Sequence, residues 1–119
     1  MSDNRREALE ALRDKVKAGA WDTKSALKAL PESHVSNGND WVDPIGWASC
    51  AFHNGSLDAA KALHDAVLPG PLWLTFCGDG ATIGVNGEEY TGKADNPARA
   101  WLLAILSALI SETPKGETP

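Results

Sequence analysis

Residues 96–111 read NPARAWLLAILSALIS, and this stretch decides the fold. Asn96 can cap a helix with its side-chain oxygen, and Pro97 suits the first helical position, where a missing N–H costs nothing. The apolar residues that follow recur at helical spacing. A helix that is apolar around most of its circumference is normally buried on most of it. The stretch therefore predicts the core helix, with three clearly polar positions, Arg99, Ser107 and Ser111.

Length and composition are those of one globular domain. The chain has 119 residues, of which 43% are hydrophobic and 23% charged. We expect a single α+β sandwich domain over residues 1–111 and a disordered polar tail over residues 112–119. Two cysteines do not make a disulfide framework, the charged N-terminus is unlike a signal peptide, and no stretch reaches the length of a membrane span. These features predict a cytoplasmic protein that does not enter a membrane.

The net charge of −5 is unevenly distributed. Residues 1–32 carry seven Lys and Arg against six Asp and Glu, whereas residues 33–96 carry only Lys61 and Lys93 against eight acids. An acidic middle argues against direct nucleic-acid binding, which needs clustered cations for the phosphate backbone. The excess of acidic residues in this middle part fits a basic protein partner. The alternative is that it contributes only to solubility.

Four helices and three strands are predicted before the core helix. Caps and breakers place the helices from Ser2 or Asp3 to Gly19, from Asp22 or Thr23 to Leu30, from Asp43 to Phe52, and from Ser56 to Val67. Alternating residues place strands at 72–77, 81–85 and 88–92, with Asn86-Gly87 as a two-residue hairpin turn. Both faces of the first strand are apolar. The predicted fold class is therefore α+β, a three-stranded antiparallel β-meander sandwiched by α-helices.

No catalytic or metal signature is present. Cys50 and His53 form one C-x-x-H pair, but no second pair completes a four-ligand zinc site, and no nucleophile motif surrounds Cys50 or Ser49. The glycines of Gly78-Asp79-Gly80 join two strands, whereas a nucleotide fingerprint leads from a strand into a helix. We therefore predict no enzyme activity, no metal and no cofactor.

Tryptophan supplies five of the eight aromatic residues. Trp is enriched at binding hot spots because one rigid ring provides a large contact area, and it can also stack on a base. The alternative is that each ring covers part of a small core, which is the role we expect for Trp73 and Trp101. If the chain has a binding site, the irregular region before residue 55 is the expected place, with candidate residues Trp41, Asp43, Trp47 and His53.

Two stretches resemble a known family. These are GSLDAAKALHDAVLPGPLW at residues 55–73 and YTGKADNPARAWLLAILSALI at residues 90–110. They are similar to the phage ABA (alpha-beta-alpha) sandwich domain, a group of small phage proteins. The shared pattern is a Ser-Leu-Asp-Ala-Ala helix, a Leu-Pro-Gly break into a Trp-bearing strand, and a Pro-started apolar helix. The resemblance implies a phage or prophage origin and transfers no functional residue.

Three functions remain open at this stage. The first is a small non-enzymatic phage protein that binds and inhibits a host protein, such as a bacterial anti-phage defence factor. The second is a protein that sequesters a small nucleotide signal in an aromatic-lined pocket, which would also need a cation or a helix N-terminus for phosphate. The third is an enzyme with an unrecognised site. The sequence does not indicate an oligomeric state.

Overall fold

The structure is a computed structural model that describes residues 2–30, 34–35, 41–68, 73–85 and 87–112. Pairs of helices precede each group of short strands and a last helix follows them, and no helix among these described residues is long and apolar enough to cross a membrane. In chain order the elements are α1 (Ser2–Lys17), α2 (Thr23–Ala29), β1 (His34–Val35), β2 (Trp41–Val42), α3 (Pro44–Asn54), α4 (Leu57–Val67), β3 (Leu74–Cys77), β4 (Gly80–Val85), β5 (Glu88–Lys93) and α5 (Pro97–Glu112).

The apolar helix α5 is the centre of the protein, as predicted. The side-chain oxygen of Asn96 accepts a hydrogen bond from the Arg99 amide at 2.8 Å, which caps the first turn. At the other end, Arg6 of α1 donates a hydrogen bond to the Ile110 carbonyl at 2.9 Å. A cation is favourable beside the orphan carbonyls of a helix C-terminus. Between these ends every apolar residue of α5 is buried.

One antiparallel sheet has the strand order β3-β4-β5. Cys77 pairs with Gly80 and Val85 with Glu88, so each connection is a two-residue hairpin turn. Gly78 and Gly87 have positive φ values of 61° and 85°, which two-residue hairpin turns of this kind require. The α+β fold class and the three-stranded antiparallel meander are therefore confirmed.

Among the described residues, helices cover one face of the sheet. Helix α5 contacts β4 and β5, and it also contacts α1, α3 and α4, so α5 lies between the sheet and the other helices. On the covered face Ala81 and Ile83 are buried, whereas Thr75, Cys77 and Thr91 on the opposite face are exposed. The sequence of β3 is apolar on both faces, which suggests that both are covered. In the structure β3 is an edge strand, and most of it is exposed.

Local capping sets the ends of the other helices. Asp22, Asp43 and Ser56 each accept a hydrogen bond from a backbone amide three residues ahead, as predicted for N-caps. Helix α1 ends in a Schellman motif, in which Ala20 N donates to the Lys15 carbonyl and Gly19 N to the Val16 carbonyl. Gly19 has a φ of 85°, which is the left-handed conformation of this motif.

Several predictions need adjustment or fall outside the described residues. The irregular region contains a short antiparallel pair, β1 with β2, in which Val35 pairs with Trp41. Helix α5 continues to Glu112, one residue into the predicted tail. In α4, Leu57 is exposed instead of facing inward. The predictions for the turn pair Asn37-Gly38, the break at residues 69–71 and the tail at 113–119 lie outside the described residues.

The closest approach between the sheet and α5 occurs at Gly92. A Cβ atom at this position would overlap the Ala100 carbonyl oxygen, and it would lie 2.6 Å from Leu103 Cβ and 2.7 Å from Ala104 N. Two of these three atoms belong to the α5 backbone, which cannot move aside as a flexible side chain can. Only glycine therefore allows β5 to pack at this distance.

We expect Leu106→Asp to abolish folding. Leu106 is fully buried, and burial of one leucine contributes about 1.5–3 kcal/mol, to which the cost of an unpaired buried carboxylate is added. Total stability for a domain is roughly 5–15 kcal/mol. Thermal unfolding followed by circular dichroism should show no cooperative transition. The matched control is Leu27→Asp, because Leu27 is exposed on α2; a cooperative melt of Leu106→Asp near the wild-type temperature would contradict the central position of α5.

We expect Gly92→Ala to destabilise the fold by about 1–3 kcal/mol, the usual cost of overpacking a core. The added methyl group forces β5 away from α5. Urea unfolding gives the change in the free energy of unfolding. Gly80→Ala is the control, because a Cβ at Gly80 meets its nearest atom at an ordinary 3.4 Å. Equal stability of the two variants would show that the approach of β5 to α5 is not constrained by Gly92.

Candidate functional site

Three of the four residues predicted for binding have local structural roles. Asp43 caps α3 and accepts a hydrogen bond from Gly46 N at 3.1 Å. Trp47 is half-buried against the core. His53 is exposed in the last turn of α3, with its ring 4.9 Å from that of Phe52 and edge-on to it. The fourth, Trp41 on β2, is 60% exposed.

In the part of the chain that the structure describes, the four residues are not gathered at one place. Asp43 and His53 lie at opposite ends of α3, about 15 Å apart along the axis at 1.5 Å per residue. None of the four lines the grooves that the structure forms elsewhere among its described residues. Their joint role in binding stays a prediction, and the structure brings only His53 into a cluster with other rings.

That cluster joins α3 to the start of α5. The Trp21 ring lies 5.7 Å from the Phe52 ring, and the Arg99 guanidinium carbon lies 4.1 Å from the centre of the Phe52 ring on its face. Arg99 also donates a hydrogen bond to the Phe52 carbonyl at 3.0 Å. This cation–π contact fixes the guanidinium against α3. Trp21 lies between α1 and α2 in the chain, and its half-buried ring packs against the core.

A groove of about 520 Å³ lies between α1 and β5, with α5 beneath it. Its size is within the range of small-ligand sites. Three cations line it, Arg13 and Lys17 from α1 and Lys93 from β5. A smaller neighbouring cavity of about 160 Å³ shares Lys17 and Lys93 and adds Arg99. The remaining residues of the larger groove are Thr91, Gly92, Leu103 and Ser107.

The cations of the groove are weakly neutralised. Arg13 has one ion pair, with Asp14 at 3.5 Å, and its Nε is removed from solvent without a hydrogen-bond partner in the described chain. Within the same residues, neither Lys17 nor Lys93 lies within 4.0 Å of a carboxylate. Asp95 lines the smaller cavity next to them. The groove therefore presents positive charge on a protein whose net charge is −5.

A buried histidine–tryptophan pair stabilises the interface of α4 with α5. Trp101 Nε1 donates a hydrogen bond to His64 Nδ1 at 3.2 Å, and His64 is only 2% exposed. Burial lowers the pKa of His64, with a smaller opposing effect of Asp65, which raises the pKa, and a further lowering by Lys61. His64 is therefore neutral, and because Nδ1 accepts the hydrogen bond, the ring proton is on Nε2. The helical spacing that places Leu63 inside could have indicated a buried His64.

The remaining reactive side chains are dispersed. Cys50 and Cys77 are both free and exposed. Among the described residues, no group of three or more His, Cys, Asp or Glu is arranged to hold a metal ion. Trp101 is buried as predicted, but Trp73 is not, being 49% exposed over Gly84 on the uncovered face of the sheet.

Comparison with known proteins adds no assignment, since no family model, no curated protein and no solved structure matches the chain.

We expect the stability of the protein to decrease as the pH falls below about 6.5. The folded state lowers the pKa of His64, so the unfolded state binds a proton more tightly, and protonation favours unfolding. The contribution of His64 to the free energy of unfolding is fully present above its pKa in the unfolded chain, which is near 6.5. This contribution is lost as the pH falls through the pKa of His64 in the folded state. Urea unfolding at pH 7.5 and pH 5.5 measures this change.

His64→Gln is the matched variant for this measurement. A glutamine can accept the Trp101 hydrogen bond through its amide oxygen but does not titrate. All other ionisable groups contribute equally to both proteins, so the difference in pH dependence isolates His64. An identical loss of stability in the variant and the wild type would show that His64 does not control it.

Proposed function

We propose that the chain is a small non-enzymatic phage or prophage protein that binds and inhibits a protein of its bacterial host, and that the host protein is an anti-phage defence factor. In this proposal the protein acts in the host cytoplasm by occupying a surface of its partner. The class of protein is suggested by the resemblance of residues 55–73 and 90–110 to small phage sandwich domains. A binding role is favoured because the sequence carries no catalytic signature.

The exposure of Trp41 supports a protein partner. Its ring is 60% exposed on a two-residue strand. A large apolar ring in water gives no folding benefit, whereas the same ring buried at an interface contributes strongly to affinity. Trp47, by contrast, packs on the core and is already used in folding. Trp41 is thus the predicted site residue that folding least explains.

The second candidate is a protein that sequesters a small nucleotide. The observation that favours it is the groove between α1 and β5, where Arg13, Lys17 and Lys93 face a volume that suits a small ligand. These cations supply the positive charge that a phosphate needs. However, no aromatic side chain lines this groove, so it offers no ring on which a base could stack. We therefore rank this function second.

We expect Trp41→Ala to weaken retention of a host protein about 30-fold, which corresponds to a hot spot of about 2 kcal/mol. The experiment immobilises the full chain and measures binding of host proteins from a bacterial lysate by quantitative mass spectrometry. Trp73→Ala is the matched control, because Trp73 is a second exposed tryptophan outside the predicted site. Failure to retain any host protein reproducibly would count against the proposed function, and equal retention by both variants would remove Trp41 from the interface.

Native mass spectrometry of gently purified protein separates the two functions. A bound mass of a few hundred daltons that is lost on denaturation favours nucleotide sequestration. A stoichiometric protein adduct favours inhibition of a host protein and identifies that partner.

A further inference from the structure

Among the described residues, no strand pairs with the outer edge of β5. Gly84 N donates to the Trp73 carbonyl, so Gly84 forms its backbone hydrogen bonds with β3. In an antiparallel sheet successive residues of a central strand alternate between its two neighbours. Gly84 pairs in register with Glu89, and the backbone groups of Glu89 consequently point away from β4. The same alternation turns the N–H and C=O groups of Thr91 and Lys93 to the free edge.

This edge borders the basic groove. Thr91, Gly92 and Lys93 form one wall of the groove, and Arg13 and Lys17 of α1 line it as well. Leu103 and Ser107 of α5 lie beneath. A further strand beside β5 would lie about 4.8 Å away, in the space of the groove. Its backbone would meet the free groups of Thr91 and Lys93, and its side chains would meet cations and the apolar Leu103.

The charges select which strand can pair there. A lysine on an edge strand usually discourages pairing between copies of a protein, and Lys93 has that effect on a second copy of this edge. Arg13 and Lys17 lie on a different element, yet they face the same groove. The cations thus disfavour a basic or identical strand and favour one that carries carboxylates. The opposite edge differs, because residues 73–85 contain no Lys or Arg.

We propose that β5 is a docking edge for an acidic, extended segment of a protein partner, which joins the sheet as a fourth strand and places its carboxylates against Arg13, Lys17 and Lys93. Strand addition obtains affinity from backbone hydrogen bonds and specificity from side chains. This inference rests on the proposed function in that it specifies the chemistry of the segment through which the protein partner is bound.

The first test separates backbone pairing from side-chain effects at Thr91. Thr91→Pro removes the outward N–H and leaves pairing with β4 intact, because proline is tolerated on an edge strand where its nitrogen faces solvent. Thr91→Val is the control, since it keeps the N–H but loses the hydroxyl that lies 2.8 Å from the Thr82 hydroxyl. Thermal melts must first show that both variants fold cooperatively.

The second test reverses the charge of the groove. Lys17→Glu combined with Lys93→Glu places two acids where the proposal needs cations. Lys24→Glu combined with Lys28→Glu makes the same change in net charge on the exposed side of α2, away from the groove. Any difference between the two double variants therefore reflects the position of the charges and not the total charge.

The probe is a random heptapeptide library selected on the immobilised full chain. We expect the selected peptides to be acidic and rich in β-branched residues, and to bind Thr91→Pro and the groove double variant at least tenfold more weakly than the two controls. Amide hydrogen exchange should slow at Thr91 and Lys93 when a selected peptide is bound. Selected peptides that are neutral or basic, binding that is equal in all variants, or a groove that binds nucleoside phosphates but no peptide, would overturn the inference.

Failure of this inference differs from failure of the proposed function. If the wild type retains a host protein and Thr91→Pro and the groove double variant retain it equally well, the proposed function stands and the docking edge is wrong. If acidic peptides bind the edge as expected but no host protein is retained, the docking edge stands and the proposed function fails.

Discussion

The structure depends on the burial of the apolar residues of α5. These residues occupy most of the helix circumference, so more than one element must cover them, and the sheet together with α1, α3 and α4 does so. Sheet and helix can approach closely only where one side lacks a side chain. Gly92 provides that position against the α5 backbone. The two-residue turn between β4 and β5 sets the register that brings Gly92 to this contact.

The parts of the fold that the sequence predicts correctly are those that short-range chemistry decides. Asp22, Asp43 and Ser56 cap helices because a side-chain oxygen three residues before an amide needs no tertiary partner. Gly19 and Gly87 end an element through their own positive φ. The layering could not be predicted in this way. Whether the second face of β3 is covered depends on where the helices pack, and α1, α3 and α4 pack on α5 while α2 packs on α1.

The difference between short-range chemistry and tertiary packing also explains which residues of the candidate site the sequence could predict. The sequence points to residues that are close together along the chain, but Asp43 and Trp47 have structural roles and α3 separates Asp43 from His53. The basic groove joins residues of α1 to a residue of β5 that is 76 positions beyond Lys17. Its one sequence signal is Lys93, one of two cations in an otherwise acidic stretch. Only the packing of α1 on α5 brings Arg13 and Lys17 close to Lys93.

The charge distribution makes the groove more selective than its cations alone would. The net charge of −5 opposes an acidic segment near the surface, while the cations of the groove attract it. At physiological salt charges interact over about 8 Å, so a segment beyond that distance experiences little of either effect. Once it is within the groove, Arg13, Lys17 and Lys93 dominate. An acidic strand is therefore captured only where backbone pairing with β5 holds it close, which couples charge recognition to the free edge.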